Sequence, residues 1–327
     1  MTKPSRRTLL LGAGAALAAP TILRAQDAAD ALRAMAADLD QLHSLIVLRG
    51  GEPIIEEAFR GRGLDSRANL KSVSKTLVAL LTGIAIDRGH IPSVEAPVLP
   101  LLGLPAFGDA RDEMVLEDLL TLRAGLASTS GGNYGEWISS RDWVASALAD
   151  PVGRPGERFV YSTGTFHVLG AAVARAANAP LYDLARDWLA RPLNINLSPW
   201  VADPQGRYLG GNEMSMTPRE LARIGQMIVQ RGRWNGVQVV SEAWLDASFT
   251  PRSRSPFSGD AYGYGWFLTR FGGLQAAYAR GYGGQILAVV PDADLVIAIT
   301  SDPTRPARSG GFFGDLRRLL DQAAGMV

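Results

Sequence analysis

Lys71-Ser72-Val73-Ser74-Lys75-Thr76 runs without a break into the apolar stretch 77–86, a segment with the composition of a buried helix. That join places Ser72 at a helix N-terminus. Unpaired backbone N–H groups and the helix dipole there favour a developing negative charge, and the N–H of Ser72 itself can donate to an oxyanion. Lys75 follows three residues on, one turn away on the same helical face, so its amine can reach the Ser72 hydroxyl. An S-x-x-K pattern alone arises by chance in many chains. Its weight here comes from composition: of 33 basic residues only Lys3, Lys71 and Lys75 are lysines, so two of the three flank one serine. A guanidinium stays protonated in a protein, whereas a desolvated lysine with a cationic neighbour can lose its proton near neutral pH and act as a base. Ser72 and Lys75 therefore read as nucleophile and activator, in preference to an amphipathic helix start with solvated lysines.

Outward from this helix, the apolar runs 44–48 and 53–59 flank Arg49-Gly50-Gly51-Glu52 and read as a β-hairpin, preceded by a helix over 28–42. The middle of the chain carries helical patterns at 75–88, 116–122, 140–149, 166–177, 181–189 and 218–230, separated by loops rich in Gly, Pro and Asn. Strand character returns at 262–270, 274–279, 285–290 and 295–301, before a terminal helix over 314–324. Strands, helices and strands again predict an α+β architecture. One antiparallel sheet is assembled from both chain ends and covered by the terminal helices, with a mostly helical lobe inserted and a cleft between the layers. The sheet lobe takes about 26–70 and 255–327, the helical lobe about 71–254.

A net charge of +1 without clustered Lys/Arg argues against nucleic acid as a partner. The absence of cysteine excludes disulfides, thiolate metal sites and cysteine nucleophiles. Ser5-Arg6-Arg7-Thr8-Leu9-Leu10, followed by the Gly/Ala-rich run 11–19, has the pattern of a twin-arginine export signal, and residues 1–25 are assigned to it. The run is shorter than the roughly 20 residues a membrane span needs, and no later segment reaches that length. Cleavage after Leu23-Arg24-Ala25 removes four of the 33 basic residues and none of the 32 acidic ones, leaving 29 against 32. The expected product is an exported, periplasmic protein with no membrane span once the signal is removed. Its oligomeric state is not readable from these features.

G-x-S-x-G, H-E-x-x-H, P-loop and dinucleotide patterns are missing, and His43, His90 and His167 are too scattered for a local metal cluster, so neither metal nor cofactor is expected. The second candidate segment is Pro155-Gly156-Glu157-Arg158-Phe159-Val160-Tyr161-Ser162-Thr163-Gly164, a turn and extended piece before a helix. Tyr161 reads either as a packing tyrosine or as a second proton-transfer group, whose pKa two nearby ammonium groups would lower. Its position after an S-x-x-K helix favours the second. His167 follows closely and is a candidate for substrate contact. Tyr134 and Trp137 in a Gly-rich loop, and Tyr264 and Trp266 on a late strand, are candidate pocket walls or core residues in equal measure.

Ser72-Val73-Ser74-Lys75, Leu119-Leu120-Thr121 and Pro155-Gly156 through Tyr161 together resemble the serine β-lactamase and penicillin-binding protein superfamily, above all its class C and esterase branch. The likeness continues through 211–225, Gly232-Arg233-Trp234-Asn235-Gly236, Tyr262-Gly263-Tyr264-Gly265-Trp266 and Gly281-Tyr282-Gly283-Gly284-Gln285, essentially the whole mature chain. It implies a three-layer fold, an acyl-enzyme on Ser72 with Lys75 and Tyr161 as acid/base partners, and a second oxyanion donor, the backbone N–H of Tyr282. Thr163 stands where these lactamases and transpeptidases carry an asparagine that binds the substrate's side-chain amide. Ala279-Arg280-Gly281 replaces their Lys-Thr-Gly or His-x-Gly, with Arg280 expected to point away from the cleft. The Gly281-x-x-Gly284-Gln285 form is more like the esterase and nylon-oligomer hydrolase branch. The leading expectation is thus a serine hydrolase of small esters or amides, with Thr163, Gly281 and Gln285 near the substrate. The alternatives are a β-lactamase or D-Ala-D-Ala peptidase, and a non-catalytic binder of cell-wall fragments.

Overall fold

The computed structural model describes residues 26–326, so the export signal assigned to residues 1–25 lies outside the described residues. The hairpin forms as predicted: β1 (Leu42–Arg49) and β2 (Glu52–Ala58) pair antiparallel with Arg49 opposite Glu52. The late strands are β3 (Ser253–Arg254), β4 (Ala261–Tyr262), β5 (Phe267–Phe271), β6 (Leu274–Gly281), β7 (Gln285–Val290) and β8 (Leu295–Ser301). All eight make one antiparallel sheet in the order β2-β1-β8-β7-β6-β5-β4-β3. Pairs such as Leu45 with Ile299 and Val47 with Ile297 join the two chain ends, which gives the expected α+β architecture. β7 and β8 are buried at every residue, as central strands covered on both faces must be, and their sequences are correspondingly apolar throughout.

The alternation along β6 sorts the layers. Tyr278 and Arg280 face the terminal helix α5 (Phe312–Ala324), where Tyr278 and Arg280 both meet Phe313. Ala277, Ala279 and Gly281 face the other way, toward the inserted lobe. On that face α4 (Pro218–Val229) lies close enough to the sheet that a Cβ on Gly225 would come within 2.4 Å of Val296. The first helix, α1, spans 26–37 rather than reaching 42, because Leu42 is already paired with Ser301 in the sheet and the polar segment 38–41 makes the turn between them.

Within the inserted lobe, α2 (Ser74–Asp87) is buried continuously from Ser74 to Ala85, matching its apolar sequence, and packs beside α3 (Thr163–Ala176). A helix enclosed on all sides holds its side chains in fixed positions, which suits the placing of reactive groups. Trp244, in the helix Glu242–Ser248, seals one side of α2 and stacks on Tyr264. Only glycine fits beneath it: a Cβ on Gly83 would lie 2.3 Å from the indole. Gly83→Ala should therefore destabilise the fold by about 1–3 kcal/mol through overpacking, measured as a fall in the urea midpoint with an unchanged m-value.

Candidate active site

Ser72 lies in a single 3₁₀ turn, Lys71–Val73, that feeds straight into α2. The turn is pinned from behind by the segment 213–216. Leu70 N–H donates to Met214 O at 2.8 Å, Met214 N–H donates to Ser74 Oγ at 3.2 Å, and Ser74 Oγ–H donates to Lys71 O at 2.7 Å. Lys71 is left-handed, with φ of 50°, a conformation a non-glycine residue keeps only when its surroundings fix it. Here Asn69 Oδ1 accepts its N–H at 2.9 Å and Glu213 takes its ammonium at 2.9 Å.

Lys75 is 1 % exposed, and its Nζ has three acceptors: Ser72 Oγ at 3.0 Å, Thr163 Oγ1 at 3.2 Å and Gly211 O at 2.8 Å. Three acceptors match the three N–H bonds of an ammonium. Once the proton nearest Ser72 is lost, two N–H bonds still reach Thr163 and Gly211, and the lone pair is left facing the Ser72 hydroxyl. Burial pushes the pKa of Lys75 down to about 7. The cationic neighbour invoked from the sequence is not the cause, since Lys71 is paired with Glu213 and burial alone accounts for the shift.

Tyr161 presents the face of its ring to Lys75, with Nζ 4.9 Å from the centroid, rather than a hydrogen bond to the amine. Its pKa is raised, not lowered as two ammonium groups would have required. Desolvation dominates, and the Ser72 hydroxyl and the Arg280 charge offset it only in part. The tyrosine is thereby kept as a neutral hydroxyl at neutral pH. The end of β6 lies against the Ser72 turn: a Cβ on Gly281 would sit 2.3 Å from Leu70 O. Tyr282, the next residue, is 53 % exposed. Among the described residues, the backbone N–H groups of Ser72 and Tyr282 make no hydrogen bond, leaving two donors available to an oxyanion.

Gly211 was missed as a site residue because its contribution is a carbonyl. The segment carrying it lies against α3 so closely that a Cβ on Gly210 would meet Phe166 O at 2.2 Å. His167, fully buried, holds the same segment: Nδ1 accepts the Gly210 N–H at 3.4 Å, and Nε2 faces Asp203 Oδ2 at 3.3 Å. His167 thus supports the Lys75 site from behind and does not line the cleft. Four candidate pocket residues are also placed in the core. Trp137 packs between Trp143 and His167 and donates to Trp143 O. Trp266 is fully buried against Phe249. Tyr264 is buried with its hydroxyl donating to Glu117 at 2.5 Å. Gln285 is buried with its amide spent on the backbone of Ser301. The Gly263-to-Trp266 segment runs under α2, where Thr76 Oγ1–H donates to Gly265 O at 2.6 Å, and this turns its aromatic residues inward. Tyr134 remains half-buried, its hydroxyl accepting from Asn212 at 3.1 Å. Arg280 points away from the cleft as expected, over Phe313 and onto Ala307 O.

Comparison with known proteins gives the family and the fold. The β-lactamase family model matches residues 22–321. The 6-aminohexanoate-dimer hydrolase of Paenarthrobacter ureafaciens is 27 % identical over 89 % of this chain and 83 % of its own length. Two solved structures share the fold. A penicillin-binding protein homologue from Caulobacter crescentus has a TM-score of 0.75 at 17 % identity, covering 92 % of this chain and 98 % of that one. EstCE1, a hydrolase with promiscuous acyltransferase activity, has a TM-score of 0.72 at 16 % identity, covering 91 % and 100 %.

The lysine geometry sets two pH dependences. Labelling of Ser72 by a fluorophosphonate should rise with pH through an apparent pKa near 7, as the neutral amine appears, and Lys75→Arg should abolish it because the guanidinium cannot deprotonate. The folded-state value lies below the ordinary lysine value of about 10.4, so the unfolded chain holds a proton the folded one sheds. The resulting destabilisation is complete below about pH 7 and fades as pH rises toward 10. Lys75→Met should accordingly unfold at higher urea than the parent at pH 6, with the gap closing by pH 10.

Proposed function

The chain belongs to the β-lactamase family of hydrolases, and we propose that it is an exported serine hydrolase cleaving small amides or esters through an acyl-enzyme on Ser72. The observation that carries this reading is the buried Lys75 amine, 3.0 Å from the Ser72 hydroxyl and titrating at about 7. Neutral Lys75 takes the Ser72 proton as Oγ attacks the carbonyl carbon. The oxyanion falls between the N–H groups of Ser72 and Tyr282, and collapse of the tetrahedral intermediate expels the leaving group, with the proton held by Lys75 passing to that group or to solvent so that the amine is neutral again. Tyr161, held protonated by burial, serves as a hydrogen-bond donor at the reacting oxygens. Water then attacks the ester, gives its proton to Lys75 and releases the acid as Ser72 Oγ recovers a proton.

The Paenarthrobacter relative, by its name a hydrolase of an amide dimer, supports amide substrates, and the acyltransferase activity ascribed to EstCE1 supports acyl chemistry on the same fold. Two features weigh against β-lactams and D-Ala-D-Ala peptides. The asparagine position is Thr163, turned onto Lys75, and the strand position of the family's cation is Ala279, with Arg280 facing α5. Export rests on the twin-arginine pattern in residues 1–25, and an N-terminus at Gln26 in periplasmic protein is the expected mark of signal removal.

Turnover of a short-chain nitrophenyl ester and a linear amide should exceed that of a chromogenic cephalosporin under the same conditions. Ser72→Ala should abolish ester turnover and fluorophosphonate labelling together, and Tyr161→Phe should lower kcat by about 10²-fold or more. A faster cephalosporin rate overturns the substrate assignment, and an unlabelled Ser72 in folded protein overturns the enzyme.

A further inference from the structure

The three partners of Lys75 differ in what they can do with a proton. Gly211 O is a carbonyl and only accepts. Ser72 Oγ, once acylated, is an ester oxygen and has no proton to pass on. Thr163 Oγ1 is a hydroxyl, which accepts one proton while releasing another. It lies 3.2 Å from Lys75 Nζ and 2.9 Å from Ser130 Oγ. Ser130 Oγ also accepts the Thr163 backbone N–H at 2.9 Å. When Lys75 is an ammonium, Thr163 Oγ1 accepts from it; the Thr163–Ser130 bond can run in either direction, and the direction a relay needs is Thr163 donating to Ser130. Ser130 then has both acceptor sites filled and its own proton free. Ser130 is only half-buried, whereas Lys75 is enclosed, so the bonds lead outward.

The loop holding this chain is fixed at several points. Ser128 Oγ–H donates to Tyr161 O at 2.6 Å, Ser130 N–H donates to Ser128 Oγ at 3.1 Å, and Gly164 N–H donates to Thr129 Oγ1 at 2.7 Å. Lys75, by contrast, meets Tyr161 through its ring face, without a hydrogen bond to the phenol.

Building on the acyl-enzyme reading above, we propose that Thr163 and Ser130 form a hydroxyl relay that carries the proton taken by Lys75 from Ser72 outward to the leaving group. In the acylation step the Lys75 N–H bond breaks and its proton joins Thr163 Oγ1. The original Thr163 proton passes to Ser130 Oγ, and the original Ser130 proton passes to the departing alkoxide or amine. Lys75 ends neutral, both hydroxyls are restored, and no other reactant is consumed.

The leaving group provides the test. A nitrophenolate departs without a proton, whereas an alkoxide or an aliphatic amine does not. Ser130→Ala should lower kcat/KM for an alkyl ester and a linear amide by roughly a hundredfold, while the nitrophenyl ester of the same acid changes by less than about threefold; Thr163→Val, which also takes an acceptor from Lys75, should lower turnover of all three substrates. Thr163→Ser should restore the alkyl ester. Fluorophosphonate labelling of Ser72, run on every variant, reports that the site is still folded. It also separates this inference from its parent, because loss of labelling in the unsubstituted protein defeats the acyl-enzyme itself. Equal losses on both esters in Ser130→Ala would reduce the pair to a prop for Lys75, and unchanged rates on the alkyl ester in that variant would remove the relay; either result overturns the proposal.

Discussion

A primary amine enclosed in the protein interior, with a hydroxyl, a second hydroxyl and a carbonyl at its three N–H positions, is the constraint around which the inserted lobe is arranged. Enclosing an ammonium is unfavourable unless its hydrogen bonds are met or its proton is given up. Here both routes stay open, and the balance between them falls near neutral pH. Each acceptor comes from a different part of the chain: Ser72 from the turn before α2, Thr163 from the first residue of α3, and Gly211 from a loop far along the sequence. The lysine can stay where it is only if all three segments meet.

That requirement explains several local features that would otherwise be disconnected. Gly210 is the point at which the loop touches α3, and a side chain there would drive the Gly211 carbonyl away from the amine. His167 and Asp203 secure the same loop from behind. The left-handed Lys71 and its pairing with Glu213 close the turn on the opposite side. Gly281 lets the end of β6 approach Leu70 and Lys71, on the turn that carries Ser72. The sheet, closed through β1 and β8, provides the rigid floor from which these contacts are measured.

Much of this was legible in the chain because it has local signatures. The hairpin, the continuous apolar strands β7 and β8, and the enclosed helix α2 all announce themselves by period and composition, and the scarcity of lysine singles out Lys75. The parts that were not legible depend on direction. Trp266 and Tyr264 look like cleft aromatics until the 263–266 segment is seen running beneath α2, which turns both rings inward. Gln285 directly follows the Gly283-Gly284 pair yet spends its amide on Ser301. The pKa of Tyr161 was misjudged because charge was counted and burial was not: Lys71 is neutralised by Glu213, and desolvation then prevails. Gly211 fell within the stretch that carries the family likeness but contributes a carbonyl, which residue type does not reveal, and Ser130 had no motif signal.

The same directional argument bears on substrate choice. In β6, alternation sends Ala279 and Gly281 toward the cleft and Arg280 toward α5, so the strand beside Ser72 offers the substrate backbone groups and small side chains, not a charge. The other cation adjoining Ser72, Lys71, is already engaged by a carboxylate. A substrate carboxylate at this edge would have to displace that pairing or accept an unpaired position, either of which is unfavourable in a half-buried site. Neutral acyl groups meet no such obstacle. Ala279 brings no charge to this edge, and the Thr163 hydroxyl is already engaged with Lys75 and Ser130. Both residues leave the contact between Lys75 and the Ser72 hydroxyl intact.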